Sequence, residues 1–250
     1  MSLIQMILVV CPLVFFASFV DAIAGGGGLI SLSAYTFTGI PTHMAYGSNK
    51  FSASIGTIFS TYRFFKSGTI HLKTALLSAF FALVGSACGA KLALLLSDQT
   101  LKTTMMILLP CIAVFVLFNK KTFGEDDNSS SLSRKKAIFL SAIIGFLIGT
   151  YDGFFGPGTG TFLILAYTTL MKFDFKTACG NTKVVNLSSN LAALVVYLFA
   201  GKVYFALAIP AAICSVAGGW IGSGLAIKKG SKFIKPMLVF VLILLFINMF

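Results

Sequence analysis

Long apolar runs separated by short polar breaks dominate this chain. They lie near residues 3–23, 27–40, 48–66, 72–96 and 101–118, and again near 136–151, 157–171, 181–200, 203–226 and 233–250. Most approach the roughly 20 residues that a helix needs to cross a bilayer. The exceptions are 27–40 and 157–171, with 14 and 15 residues, which fall short of a comfortable span. One stretch is plainly different: 119–135, NKKTFGEDDNSSSLSRK, is polar, acidic in its middle, serine-rich and without periodicity. The pattern predicts an all-α polytopic membrane protein with five segments on either side of a linker. Its parts are a first membrane repeat over 1–118, the linker 119–135 and a second membrane repeat over 136–250. Met1 to Val20 carries no basic residue, the first being Lys50, so it reads as a span that stays in the membrane rather than as a cleaved signal.

The two halves repeat each other. Asp21, then Gly25 to Gly28, GSNK over Gly47 to Lys50, Gly68 and a GxxxG at Gly85/Gly89 make the first version. Asp152, then Gly156 to Thr159, GNTK over Gly180 to Lys183, Gly201 and a GxxxG at Gly218/Gly222 make the second. The aspartates are 131 residues apart and every match from Gly47/Gly180 onward is 133 apart, so the chain is a duplication.

Composition agrees on the solvent: 57% hydrophobic residues, 10% charged ones and a mean hydropathy of +0.95 belong to an integral membrane protein. The net charge of +12 invites a nucleic-acid reading, but 15 of the 19 basic residues cluster in four loop regions separated by even numbers of segments. All four can therefore lie on one side, the cytoplasmic one, linker included. The excess is a topology signal, and no nucleic-acid partner is expected. Equivalent loops differ: the one after Gly68 is basic and its twin at Gly201 holds one lysine, while Lys228 to Lys235 is basic and its twin holds only Asp98 and Lys102. Five segments per half is odd, so the second copy enters the membrane in reverse. This predicts inverted-topology repeats, as in many secondary transporters, with both termini outside. If the short second segments are re-entrant, every later loop keeps its side, so charge counting does not separate ten spans from six spans plus two hairpins.

The shared words also carry the chemistry. Gly25, Gly26, Gly27 and Gly28, with their counterparts Gly156, Gly158, Thr159 and Gly160, let backbone approach a ligand at membrane depth and precede helix starts whose free N–H groups favour an anion. Pro157 suits a first helical turn. The plainer reading is close helix packing, which Gly85/Gly89 and Gly218/Gly222 fit better. Ser48, Asn49 and Lys50, with Asn181, Thr182 and Lys183, each join a cation to small donors suited to an oxyanion. On this reading each motif follows a short loop and opens an apolar helix. The plainer alternative has each lysine at a helix end, snorkelling to the interface. Asn186 and Asn190, one turn apart, add amides whose twins are Ala53 and Thr57, so the site is not symmetric. Asp21 and Asp152 suit proton coupling, or instead cap the next helix or pair with a lysine. His43 and His71 read as loop or interface residues. The cysteines, Cys11, Cys88, Cys111, Cys179 and Cys214, show no paired spacing, so neither disulfide nor metal is expected. No cofactor and no catalytic residue are expected either.

DAIAGGGGLISL, GSNK and YDGFFGPGTG together resemble the TauE/SafE family of sulfite exporters and sulfonate permeases, most closely its YfcA-like branch. The resemblance covers nearly the whole chain, departing at Ser33, where members often have proline. It implies a bacterial inner-membrane permease for a sulfur oxyanion such as sulfite, or for an organosulfonate, driven by the proton gradient. The function expected is thus a secondary transporter with alternating access, its partners a small anion and the lipid bilayer, with a homodimer compatible. A passive anion channel shares the same features. An intramembrane aspartyl protease, built on Asp21 and Asp152, is a more distant alternative, since no aspartate follows either glycine block to make the usual second element of such a site.

Overall fold

The computed structural model describes residues 1–101, 103, 104, 107, 132–230 and 233. The expected segments 101–118 and 233–250, and most of the linker, lie outside the described residues. In chain order the helices are α1 (Leu3–Ala24), α2 (Gly28–Phe37), α3 (Thr42–Lys66), α4 (Leu72–Leu95), α5 (Arg134–Phe154), α6 (Thr159–Thr169), α7 (Phe175–Phe199) and α8 (Phe205–Lys229). Among the described residues five helices, α1, α4, α5, α7 and α8, are long and apolar enough to cross a membrane. Their outward faces carry exposed Leu8, Phe16, Leu76, Phe80, Phe139, Leu147 and Ile213, an apolar coat suited to lipid.

The two short segments remain short. α2 has 10 residues and α6 has 11, which at 1.5 Å per residue gives about 15 and about 16 Å, half of a hydrocarbon core about 30 Å thick. The helices that follow start earlier than the polar motifs suggest, at Thr42 and Phe175 rather than at 48 and 181. Asp174 accounts for the second start: its carboxylate accepts from the N–H groups of Lys176 and Thr177, an N-cap. GSNK and GNTK are therefore inside α3 and α7, and their own backbone N–H groups belong to helix rather than to open N-termini. Pro157 also falls outside its expected place, one residue before the Gly158 cap of α6.

Packing follows the repeat. Gly85 and Gly89 of α4 lie against the backbone of Phe146 and Thr150 of α5, and their twins Gly218 and Gly222 of α8 lie against Phe15 and Phe19 of α1. A β-carbon at any of these glycines would overlap backbone, so the small residue is what permits the approach. Within each seam contacts ascend together, so α1 runs parallel to α8 and α4 parallel to α5. Gly56 against Ser215, and Gly224 against Arg63, likewise make α3 parallel to α8. Ser188 and Ser189 of α7 bonded to Ala79 and Ser86 of α4 do the same for that pair. α3 runs antiparallel to α7, with Lys50 bonded to Asn190 and Thr61 to Lys183, so it also opposes α4, which is parallel to α7.

Finer contacts repeat as well. The Tyr204 N–H, at the cap of α8, donates to the Ser48 hydroxyl at 2.9 Å, and the His71 N–H, at the cap of α4, donates to Asn181 Oδ1 at 2.8 Å. Both partners of each bond are offset by 133 residues from those of the other. His43, expected in a loop or at the interface, is instead buried in the first turn of α3, where its Nδ1 lies 2.5 Å from an Asp98 carboxylate oxygen, which also accepts the His43 N–H.

Gly89→Leu and Gly222→Leu should each lower the thermal stability of the detergent-purified protein by about 1–3 kcal/mol, through overpacking at the helix seam. Equal losses at the two positions are the mark of equivalent seams, and an unchanged melting temperature in both would contradict the packing role.

Candidate substrate site

The ends of α1 and α5 meet the starts of α6 and α2 in the interior. Gly25 closes α1 with φ 76°, a left-handed conformation that favours glycine, and its N–H donates to Asp21 O at 2.9 Å. A β-carbon on Gly25 would overlap the Gly160 backbone, and one on Gly160 would overlap Gly25. Gly28 lies against Pro157 in the same crossing. These glycines thus serve packing and lining together.

A helix end inside a membrane leaves carbonyls that need donors. Those of α1 are satisfied from the second half of the chain. Ala24 O accepts from the Thr161 hydroxyl at 3.0 Å, Gly25 O from the Thr161 N–H at 3.2 Å, and Ile23 O from Cys179 Sγ at 3.5 Å. Asp21 O accepts from Lys183 Nζ at 2.5 Å, which puts a cation at the negative end of the helix.

The lysines and aspartates pair across the halves. Lys50 Nζ is 2.8 Å from Asp152 Oδ2 and 2.9 Å from Asn190 Oδ1. Ser189 donates its hydroxyl to the same Asp152 oxygen at 2.7 Å. Lys183 Nζ is 2.7 Å from Asp21 Oδ2. Lys50 and Lys183 are only 3% and 1% exposed, so neither reaches for the interface and the snorkelling alternative is corrected. Buried ammonium groups are held where a carboxylate is supplied, and here each comes from the opposite repeat. Of the readings open for the aspartates, pairing with lysine is the arrangement seen.

Beside these pairs lies a small, partly open cavity. Its wall includes Gly25, Gly27, Gly28, Gly156, Thr159 and Gly160 from the glycine tips, Asn49 and Lys50 from α3, Asn186 and Asn190 from α7, and both Asp21 and Asp152. Gly26, Ser48, Gly158, Asn181, Thr182 and Lys183 are not on the wall. The Ser48 hydroxyl and Asn181 Oδ1 are occupied with the helix caps described above, while Asn181 Nδ2 has no partner among the described residues. Asn190 Nδ2 donates to Asn186 Oδ1 at 3.0 Å, which ties the two amides together. Asn49 is 8% exposed and its Oδ1, an acceptor at the wall, has no hydrogen-bond partner among the described residues.

Ser18, Ser31, Ser52, Thr57 and Ser215 also line the cavity and were not singled out from sequence. A signal existed for part of this set: Asn49, Ser52, Ala53 and Thr57 recur at helical spacing on one face of α3, a polar stripe in a membrane helix. Lone serines in α1, α2 and α8 carry no such signal, because a serine often satisfies itself on its own helix, as Ser31 does on Gly27 O at 3.3 Å.

Residues 10–249 match the profile of the sulfite exporter TauE/SafE family. A protein of Haemophilus influenzae named "Probable membrane transporter protein" is 34% identical over 225 residues, 90% of this chain and 87% of its own length. A Sinorhizobium protein named "Probable membrane transporter protein ORF9" is 37% identical over 235 residues, 94% of this chain and 88% of its own. The Escherichia coli K12 "Probable membrane transporter protein YfcA" is 35% identical over 225 residues, 90% of this chain and 82% of its own. No solved structure matches.

Lys50→Ala should destabilise the fold by about 3–5 kcal/mol, because it strands Asp152 as a buried unpaired charge. The double variant Lys50→Met/Asp152→Asn should recover most of that loss. Thermal unfolding in detergent checks both, and a single variant as stable as wild type would refute the claim that the pair is buried and coupled.

Proposed function

We propose, for a chain that belongs to the sulfite exporter TauE/SafE family of membrane transporters, that the cavity between its halves is the binding site of a small anion moved by secondary transport. The observation that carries this reading is the Lys50 ammonium on a cavity wall it shares with the side-chain amides of Asn49, Asn186 and Asn190 and with the glycine-led helix starts. Those groups are hydrogen-bond donors or can become so by rotation of an amide, and a lysine with three N–H groups has one beyond its two recorded acceptors. Tetrahedral or trigonal oxyanions suit such a set, which favours sulfite, another sulfur oxyanion or an organosulfonate. Asn49, Lys50, Asn186, Asn190, Gly25, Gly27, Gly28, Gly156, Thr159 and Gly160 are its binding residues. Gly26, Ser48, Gly158, Asn181, Thr182 and Lys183 support them from behind the wall.

The two repeats, 1–118 and 136–250, are inverted in this reading. Its support is that α1, α3 and α8 share one direction and α4, α5 and α7 the other, so each first-half helix opposes its counterpart. The cytoplasmic side carries the linker 119–135 and the basic loops, the termini lie outside, and the membrane is the bacterial inner membrane. Rocking of the repeats about the shared cavity supplies alternating access. Asp21 and Asp152 make proton coupling available, and uphill movement separates this transporter from a passive channel.

Flux of sulfite, methanesulfonate, thiosulfate and sulfate into proteoliposomes tests the proposal. Accumulation against a gradient under an imposed pH difference is expected for at least one of them. Asn49→Leu and Lys50→Gln should cut that flux at least about tenfold, equivalent to about 1.4 kcal/mol of lost interaction. Normal flux in both variants would dispose of the cavity as the binding site, and purely downhill flux would leave the channel reading in its place.

A further inference from the structure

The two charge pairs are alike in sequence and unlike in surroundings. Lys50 and Asp152 both stand on the cavity wall, whereas Asp21 stands there and Lys183 does not. Lys183 grips Asp21 twice, through the backbone oxygen and through Oδ2. Asp152 is held through one recorded oxygen, Oδ2, by Lys50 and Ser189. The formal charges of Asp21, Lys183, Lys50 and Asp152 sum to zero. An anion arriving alone would leave this largely buried site net negative, which a low-dielectric interior penalises.

We propose that the cavity takes its anion together with one proton on Asp152, as a charge-neutral unit, while the Lys183 and Asp21 pair stays closed as a strut. This rests on the anion-site reading above and adds the address of the proton and its stoichiometry. The step forms one O–H bond on the Asp152 carboxylate and breaks one on a hydronium ion delivered from bulk solution, which leaves as water. Lys50 then exchanges a carboxylate partner for the anion and keeps Asn190. Protonating Asp21 instead would strand Lys183, whose ammonium is behind the wall and out of the anion's reach. The groups facing Asp152 are consistent with this assignment. From α3 come Lys50 and, beyond Tyr151, Tyr46; from α7 come Ser189 and Asn190; α4 brings the Ser86 backbone against the adjoining Gly153; α6 brings Thr159; Tyr151 is its neighbour on α5; and Asp21 lies on the same cavity wall. Lys50 is the cation among them. Exchange of a monovalent anion by this route carries no net charge across the membrane.

Methanesulfonate, which stays a monoanion through the neutral range, is the first probe, with thiosulfate and sulfate beside it. Binding to the full chain in detergent is followed by calorimetry from pH 5 to pH 9, with proton uptake read in weak buffer. The expected result is uptake of close to one proton per methanesulfonate, with affinity that weakens as pH rises. Asp152→Asn should still bind, without proton uptake and without pH dependence. Asp21→Asn should keep the uptake; if it fails to fold, Asp21→Asn/Lys183→Gln takes its place. Wild-type binding that is independent of pH, uptake that survives Asp152→Asn, or uptake lost with Asp21→Asn overturns the proposal while leaving an anion site standing. No binding of any probe at any pH overturns the anion site as well.

Discussion

Everything in this molecule is arranged around two ammonium groups buried in a membrane protein and neutralised from the opposite half of the chain. Lys50 needs Asp152 and Lys183 needs Asp21, each within 2.8 Å. Buried pairs of this kind are poor sources of net stability, since desolvation takes back much of what attraction supplies, but separating them is expensive. Their effect is therefore to specify which surfaces must meet. Parting the halves completely would leave four charges without their partners. The glycine seams are the steric counterpart of that demand, because α1 and α8, or α4 and α5, approach backbone to backbone only where no β-carbon intervenes.

The helix ends obey the same constraint. Terminating α1 and α5 inside the protein leaves carbonyls that water cannot reach, and these are met by Thr161, Cys179 and Lys183 from the second half at α1. Chain reversal at Gly25 then brings α2 back beside α1, with Gly27 lying against Ala17 and Asp21. A broken helix, a satisfied end and a neutralised charge are thus three consequences of one crossing. A cavity results because two short helices cannot fill the space that two full spans would.

Much of this was legible in the residues. The duplication, the apolar spans, the short second segments and the glycine, aspartate and lysine words all stand out from a background that is 57% hydrophobic. The starts of α3 and α7 were not, because polarity in GSNK and GNTK looks like a loop until the polar face has a cavity to line. The Asp174 cap would have moved the second start to its place, whereas Pro41 precedes α3 without any side-chain cap. The partners of the lysines were also hidden. Each motif recurs in both halves, so Lys50 with Asp21 and Lys50 with Asp152 are equally compatible with sequence, and only the crossing of α1 and α5 chooses between them. The serines of the wall were illegible for the opposite reason, since nothing distinguishes them from serines that bond their own helix.

Duplication gave the two pairs equal chemistry, and divergence around them made that equality useful. Asn186 and Asn190 on α7 face the cavity where Ala53 and Thr57 face it from α3, and Asn190 is the second acceptor of Lys50. The side of the cavity that holds the lysine of the first repeat is therefore furnished with amides by the second. Lys183 has no amide partner of this sort and is saturated by a backbone and a carboxylate oxygen instead. A charge already satisfied by backbone is tied to the fold, whereas one satisfied by side chains can exchange them. The same four-residue word thus meets a helix end in one repeat and amides in the other, and the proposed exchange at Lys50 rests on that difference.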